Sequence, residues 1–205
     1  PNTRLIINYG SSEAASVTMY DCNAMPGLVN CIGKPMPNAE ILIVDDERNV
    51  IRSSKDRMGL IACRGDVNMK GYINAPELTK DVLIDGVLYT NDIGYIDEDG
   101  FVYIIGRKGD VINVGGLKVA PNEVEDAALE YPGIDDCICI SAEDRISGHV
   151  PKLLYVSGAE INLRDLSTFM AARLESYKIP KQFEKVDSIA RTYNGKLDRK
   201  HYRSA

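Results

Sequence analysis

Four short stretches carry residue types suited to binding and transforming a phosphorylated ligand. Tyr9-Gly10-Ser11-Ser12-Glu13 follows the apolar run Leu5-Ile6-Ile7. It sets an aromatic face, a glycine, two hydroxyls and a carboxylate in one turn. A glycine lets backbone approach a ligand closely, Ser hydroxyls donate to phosphate oxygens, and a carboxylate such as Glu13 can hold Mg²⁺. The same residues also describe an ordinary strand end with a serine cap. Asp92 closes a second stretch, Val87-Leu88-Tyr89-Thr90-Asn91. A carboxylate there can accept two hydrogen bonds from a sugar diol, or it can close an Asx-turn. The third stretch, Gly106 to Glu125, reads GRKGDVINVGGLKVAPNEVE and holds four glycines among basic and apolar residues. In the fourth, Arg191-Thr192-Tyr193-Asn194-Gly195-Lys196-Leu197-Asp198-Arg199, the glycine implies a turn that exposes Lys196, a cation either simply solvated or offered to an anion.

The elements that must position these groups fall into two patterns. Before Gly106 the sequence reads as short strands and turns. Residues 27–65 suggest an antiparallel unit with strands at 41–44 and 59–63, and Pro76 opens a short helix. Val87–Asp92, Gly94–Ile96 and Phe101–Ile105 read as strands, the last two joined by the turn Asp97-Glu98-Asp99-Gly100. Residues 27–80 show no chemistry of their own. After Glu125 strands alternate with helices: a helix over 121–130 stopped by Pro132-Gly133, strands over 134–141 and 152–157, an amphipathic helix over 163–175 with Leu163, Leu166, Phe169, Met170 and Leu174 on one face, and a last strand over 182–186. The fold class expected is α+β, and the Gly- and charge-rich stretch Gly106 to Glu125 between two differently patterned halves suggests two domains that move against each other.

Composition sets outer limits. Of 205 residues, 44% are hydrophobic and 26% charged, the balance of a soluble globular protein. A net charge of −6 argues against general nucleic-acid binding. No apolar run approaches the ~20 residues that span a bilayer. Lys178 to Arg203 holds eight Lys and Arg against three Asp and Glu, either a solvated basic face or a tail that meets an anionic ligand. The five cysteines lack a CxxC spacing and read as reduced, buried thiols in a cytoplasmic setting. The two histidines are too scattered for a His-rich metal site. The chain starts without Met, almost directly on a strand-like run, as a piece of a longer protein would.

Order and spacing connect the four stretches. NYGSSE, YTNDIGYIDEDGFVYIIGR, KGDVINVGGLKVAPNEVE and NGKLDR together resemble the C-terminal portion of the adenylate-forming enzymes: acyl-CoA ligases, adenylation domains of peptide synthetases and luciferases. The resemblance covers essentially the whole chain. It implies a β-rich distal subdomain of the large AMP-binding domain over 1–106, followed by a small mobile α+β C-terminal domain over 107–205 with its hinge at 107–110. It also implies ATP and AMP, Mg²⁺, a small carboxylic acid, and CoA or a carrier protein as thiol acceptor. On this resemblance Tyr9 stacks on adenine, with Gly10 beside it, Ser12 contacts the adenylate phosphate, and Glu13 is the Mg²⁺-associated carboxylate. Asp92 binds the ribose hydroxyls and Arg107 reaches ribose or phosphate. Gly109 is the hinge about which the small domain rotates, Gly116 lies beside the path of the acceptor thiol's pantetheine arm, and Lys196 contacts carboxylate and phosphate during adenylation.

The chain departs from the family pattern in several places. Ser12 stands where Thr is usual, Asn91 where Gly more often precedes the Asp, Gly109 where the hinge is usually Asp or Lys, and Asn113 where a Lys is frequent. The Ser/Thr/Gly-rich loop for the ATP β- and γ-phosphates and most of the acyl pocket are missing from these residues, so the chain by itself is expected to be inactive without the N-terminal part. INVGGLKVAPNEVE resembles acid–CoA ligases, which points to fatty acid metabolism; the NGK-type ending recurs in amino-acid-activating members that load carrier proteins. A non-catalytic module that binds CoA or a carrier is a further reading.

Overall fold

The structure is a computed structural model and describes residues 3–203. The chain divides into two compact units, Pro1–Gly109 and Asp110–Ala205.

The first unit is a rolled antiparallel sheet. Its elements are β1 (Ile6–Ser11), β2 (Ala15–Asp21), β3 (Cys31–Pro35), β4 (Ala39–Val44), β5 (Gly59–Gly65), α1 (Pro76–Val82), β6 (Leu83–Ile84), β7 (Val87–Ile96) and β8 (Val102–Arg107). The strand order is β1-β2-β3-β8-β7-β5-β4, with β6 beside β7. Ala14, Val17, Ile41, Ile43, Ile61, Leu88 and Val102 form a common core, with Tyr9 packed against it. Residues from both ends of the strand order meet there, so the sheet curls around its own inner face. Four strand pairs carry register irregularities that let it bend: at Tyr9/Gly10, Cys31/Gly33, Leu60/Ala62 and Ile93/Gly94. Gly10 sits at the first. A Cβ there would lie 1.6 Å from the Ala15 carbonyl oxygen, so the chain's own backbone already requires glycine at this position.

Strand β2 was not anticipated from the sequence. Val17, Thr18 and Tyr20 are buried and Met19 is exposed, and the fully buried Thr18 hydroxyl donates to the Ile32 carbonyl. The two strands expected at 87–92 and 94–96 are one bulged strand, β7. The turn between β7 and β8 is as expected: Asp97 Oδ1 accepts the amides of Asp99 at 3.0 Å and Phe101 at 2.8 Å.

The second unit contains β9 (Ile112–Val114), β10 (Leu117–Val119), α2 (Pro121–Leu129), β11 (Asp136–Asp144), β12 (Gly148–Val156), α3 (Leu163–Ala171) and β13 (Gln182–Lys185). Strand β12 pairs with β11 along its length; its other edge takes β9 at Gly148 and β13, in parallel, at Lys152–Tyr155. Helices α2 and α3 bury Val124, Ala128, Leu166 and Met170 against this sheet. Asn162 caps α3 by accepting the amides of Arg164 and Asp165. The helix ends at Ala171, short of the expected Glu175. Leu166, Met170 and Leu174 are buried as its apolar stripe requires, whereas Leu163 is 39% exposed. Phe169 packs edge-on against Tyr131.

Candidate functional site

Antiparallel pairing of β7 with β8 sets Asp92 directly opposite Arg107. Asp92 is buried, and its Oδ1 lies 2.9 Å from Arg107 Nε. The curl of the sheet brings the edge strand β1 to the same place. Tyr9 donates its phenol hydrogen to Asp92 Oδ2 at 2.5 Å. Burial, then the bond to Asp92, push the Tyr9 phenol well above its ordinary range, so it stays protonated and donating. Thr90 completes the frame: its hydroxyl donates to the Ile61 carbonyl at 2.6 Å and accepts the Asp92 amide at 3.1 Å. Asp92 therefore forms no Asx-turn. Each of its oxygens has one structural partner, and a carboxylate offers about four lone-pair directions, so both oxygens retain acceptor capacity for a ligand.

The turn after β1 is organised by Ser11, whose hydroxyl oxygen accepts the amides of Glu13 at 3.1 Å and Ala14 at 3.2 Å. Glu13 Oε1 accepts the Tyr72 phenol at 2.8 Å. That bond, with a second from Ser11, holds the Glu13 carboxyl below the usual carboxylate range. Tyr9, Gly10, Ser11, Glu13, Tyr72, Asp92 and Arg107 line one cleft of about 350 Å³. Ser12 does not line it; it points from the exposed turn, and Ser11 takes the position at the wall. Tyr72 lies in a stretch where the sequence suggested no chemistry. An aromatic residue directly after Gly71, in a connector that also holds Val67, Met69 and Ile73, gave no distinct signal.

Glu13 is the candidate Mg²⁺ ligand. Among the described residues no three His, Cys, Asp or Glu gather into a metal cluster. An ionised, half-buried carboxylate beside a phosphate-sized cleft still fits Mg²⁺, which keeps several waters and takes one or two carboxylates plus substrate phosphates.

The other predicted residues lie at the unit boundary or in the second unit. Gly109 ends the first unit and Asp110 begins the second. Strands β9 and β10 form a β-hairpin. Its central residues, Gly115 and Gly116, have φ of +57° and +95°, as a two-residue type I′ turn requires. Asn113 Oδ1 accepts the Gly116 amide at 2.8 Å, so the residue that replaces a lysine braces the turn. Lys196 is exposed on the returning leg of a small hairpin, directly after the turn at 193–195 and before the bridge Arg191↔Leu197. All five cysteines are free, four buried and Cys22 half-buried. Burial pushes the Cys63 thiol up to about 11 and Cys137 up to about 12.

Residues 1–73 match the AMP-binding enzyme family, and residues 123–196 match the AMP-binding enzyme C-terminal domain. The chain belongs to the AMP-binding enzymes. It is 36% identical over 202 residues to a long-chain-fatty-acid–CoA ligase of Bacillus subtilis, a match covering 96% of this chain and 35% of that one. It is 33% identical to a 2-succinylbenzoate–CoA ligase of Staphylococcus aureus, covering 97% of this chain and 39% of the relative. Among solved structures, o-succinylbenzoate CoA synthetase from Bacillus subtilis with an acyl-adenylate intermediate superposes with a TM-score of 0.87 at 30% identity, over 98% of this chain and 41% of that one. Its complex with ATP and magnesium superposes at 0.86. The chain thus spans little more than a third of the length of the curated relatives it matches. Among the described residues no helix is long and apolar enough to cross a membrane.

Proposed function

We propose that this chain carries the nucleotide-binding wall and the mobile lysine domain of an ATP-dependent, AMP-forming acid–CoA ligase. The observation that carries the reading is the cleft in which Tyr9, Asp92 and Arg107 are bonded to one another beside Glu13 and Tyr72. It combines an aromatic wall, a diol acceptor, a cation and a metal-binding carboxylate.

In the proposed reaction the acid's carboxylate attacks the α-phosphorus of ATP and expels pyrophosphate. A thiol then attacks the acyl-adenylate carbonyl and expels AMP. Asp92 accepts the ribose hydroxyls while Tyr9 and Arg107 hold its carboxylate in place. The Tyr9 ring packs the base. Arg107, 63% exposed in its side chain, offers its guanidinium to ribose or phosphate. Bound Mg²⁺ supplies neutralisation of phosphate charge, and Glu13, oriented by the Tyr72 phenol, holds it. Lys196 is the cation for the first half-reaction, where two anions must meet. Gly109 is the pivot that withdraws it for the second, and the Gly115-Gly116 turn is the part offered to the pantetheine arm. The acceptor is CoA, as the names of the relatives suggest, and the free thiols fit a cytoplasmic setting. The substrate acid is a fatty or aryl carboxylic acid.

The test is ATP–pyrophosphate exchange by the full-length protein across a panel of carboxylic acids, followed by transfer to CoA or to a phosphopantetheinylated carrier protein. Acid-dependent exchange with transfer to CoA supports the reading. Exchange with transfer only to a carrier protein would reassign the acceptor, and no exchange with any acid would sink the enzyme reading.

A further inference from the structure

The Lys196 hairpin is braced within itself, Arg191 Nη1 donating to the Gly195 carbonyl at 3.1 Å, and it meets the rest of its unit through its legs, where Leu197 packs on the cluster of Ile138, Leu154 and Ile189. At its tip Gly195 has φ of +81°, the Thr192 amide donates to the Lys196 carbonyl at 2.8 Å, and the Gly195 amide donates to the Thr192 carbonyl at 2.9 Å. The Lys196 ammonium has no ion pair among the described residues. Its position therefore depends on what anchors the two legs below it.

Each leg carries an arginine set against an acid. Arg191 Nη2 bonds both oxygens of Asp136, at 2.8 and 2.7 Å, but this pair is open to water, with side chains 44% and 30% exposed. Arg199 is different. It forks onto Glu125 with two bonds of 2.7 Å, and these side chains are only 18% and 6% exposed. Glu125 Oε1 also accepts the Cys139 amide at 2.7 Å, and Arg199 Nη1 donates to the Cys139 carbonyl at 3.0 Å. Arg199 Nε lies 3.9 Å from Asp110 Oδ2. One guanidinium thus joins α2, β11, the lysine hairpin and the first residue after Gly109. Exposed ion pairs hold little, whereas breaking a buried bidentate pair leaves an uncompensated charge.

We infer that Arg199 is a positioning residue: it fixes the lysine hairpin to Glu125 and Asp110, so that Lys196 travels as one body with the segment that follows Gly109. This rests on the proposed role of Lys196 in adenylation. Arg199 touches no substrate. Its contribution is to convert rotation at the boundary into a defined position of the ammonium rather than a loose swing of an exposed loop.

The test uses the full-length protein with Arg199→Met, Arg199→Lys and Lys196→Ala, measured in both half-reactions and by amide hydrogen exchange. Arg199→Met should lower kcat for acyl-adenylate formation at least tenfold with KM for ATP little changed. It should leave thioester formation from supplied acyl-adenylate within about twofold. The Thr192 and Gly195 amides should exchange at least tenfold faster, while the amides of β11 and β12 keep their protection. Arg199→Lys keeps the charge beside Glu125 but loses the fork, so it should fold and recover only part of the adenylation rate. Equal loss in both half-reactions, with protection lost across β11 and β12, would reduce Arg199 to a merely structural residue and overturn the inference. Lys196→Ala crippling adenylation while both Arg199 variants spare it would overturn the inference alone. Lys196→Ala without effect on adenylation would remove the functional reading beneath it.

Discussion

Replacing Asp92 with Asn isolates what the carboxylate does. The two side chains have nearly the same shape, and the site is buried, so the frame built by Thr90 should persist. The change removes the charge that Tyr9 and Arg107 both face. Arg107 is 63% exposed, and water replaces much of its lost ion pair. The larger effect falls on the ligand. A carboxylate accepts from both ribose hydroxyls, whereas an amide offers one oxygen and turns a donor toward the second. Losing about 1 kcal/mol of charge assistance at each of two bonds gives ~2 kcal/mol, or roughly 30-fold weaker ATP binding. The assay is pyrophosphate exchange by the full-length protein with ATP and with its 2′- and 3′-deoxy analogues. The native protein should discriminate against the deoxy nucleotides, and Asp92→Asn should lose most of that discrimination along with its ATP affinity. An Asn variant that binds ATP within twofold of native, or still rejects the deoxy analogues as strongly, would refute the assignment of Asp92 to the ribose.

Lys196→Ala should cut acyl-adenylate formation by two orders of magnitude or more while leaving thioester formation from supplied acyl-adenylate nearly intact, as single-turnover assays of each half-reaction would show. The raised Tyr9 phenol predicts an alkaline stability loss. The unfolded chain gives up this proton near pH 10 and the folded one only higher, so stability is full below about pH 10 and falls above it. Other tyrosines add to that slope, so the measurement is the difference: Tyr9→Phe should flatten the decline in urea midpoints between pH 9.5 and 11. Leu166→Ala, at a position with 0% exposure, should destabilise the second unit by about 3–5 kcal/mol through loss of packing and a residual cavity, read as a lower denaturant midpoint. Gly109→Pro, by restricting φ at the boundary, should slow overall turnover more than either half-reaction measured separately.

Local chemistry made part of the site legible before the structure. Asp92 ends a stretch of β-branched and aromatic residues, and the turn Asp97-Glu98-Asp99-Gly100 centres its hairpin, but counting outward from that turn sets Asp92 opposite Gly106; the bulge at Ile93/Gly94 moves the register by one and brings Arg107 across from it. What stayed hidden is what the rolling of the sheet creates. Tyr9 and Asp92 sit on strands separated by three others. Their bond exists only because bulges curl the edge strand back over the core, and nothing local to either residue encodes that closure. The Tyr72 bond to Glu13 and the Arg199 bond to Glu125 are long-range in the same sense, at separations of 59 and 74 residues. Strand β2 escaped notice because its buried Thr18 looks polar in sequence and becomes core-compatible only when its hydroxyl finds the Ile32 carbonyl.

These two kinds of residue suggest a division of labour. The residues proposed to recognise the nucleotide are tied into pairs: Tyr9 to Asp92, Asp92 to Arg107, Glu13 to Tyr72. Each is oriented before a ligand arrives, so little side-chain entropy remains to be lost on binding. The groups assigned to the chemical steps are held differently. Gly116 stands in an exposed hairpin turn and Lys196 directly after another, and the glycines of both turns have φ above zero. A reagent that must come and go cannot be bonded into a permanent frame without slowing its departure. It can be made precise only by stiffening what carries it. On the proposed roles, that requirement is met by a buried fork from Arg199 three residues beyond a lysine with no ion pair among the described residues, while in the cleft the ion pair of Asp92 with Arg107 involves the proposed recognition residues themselves.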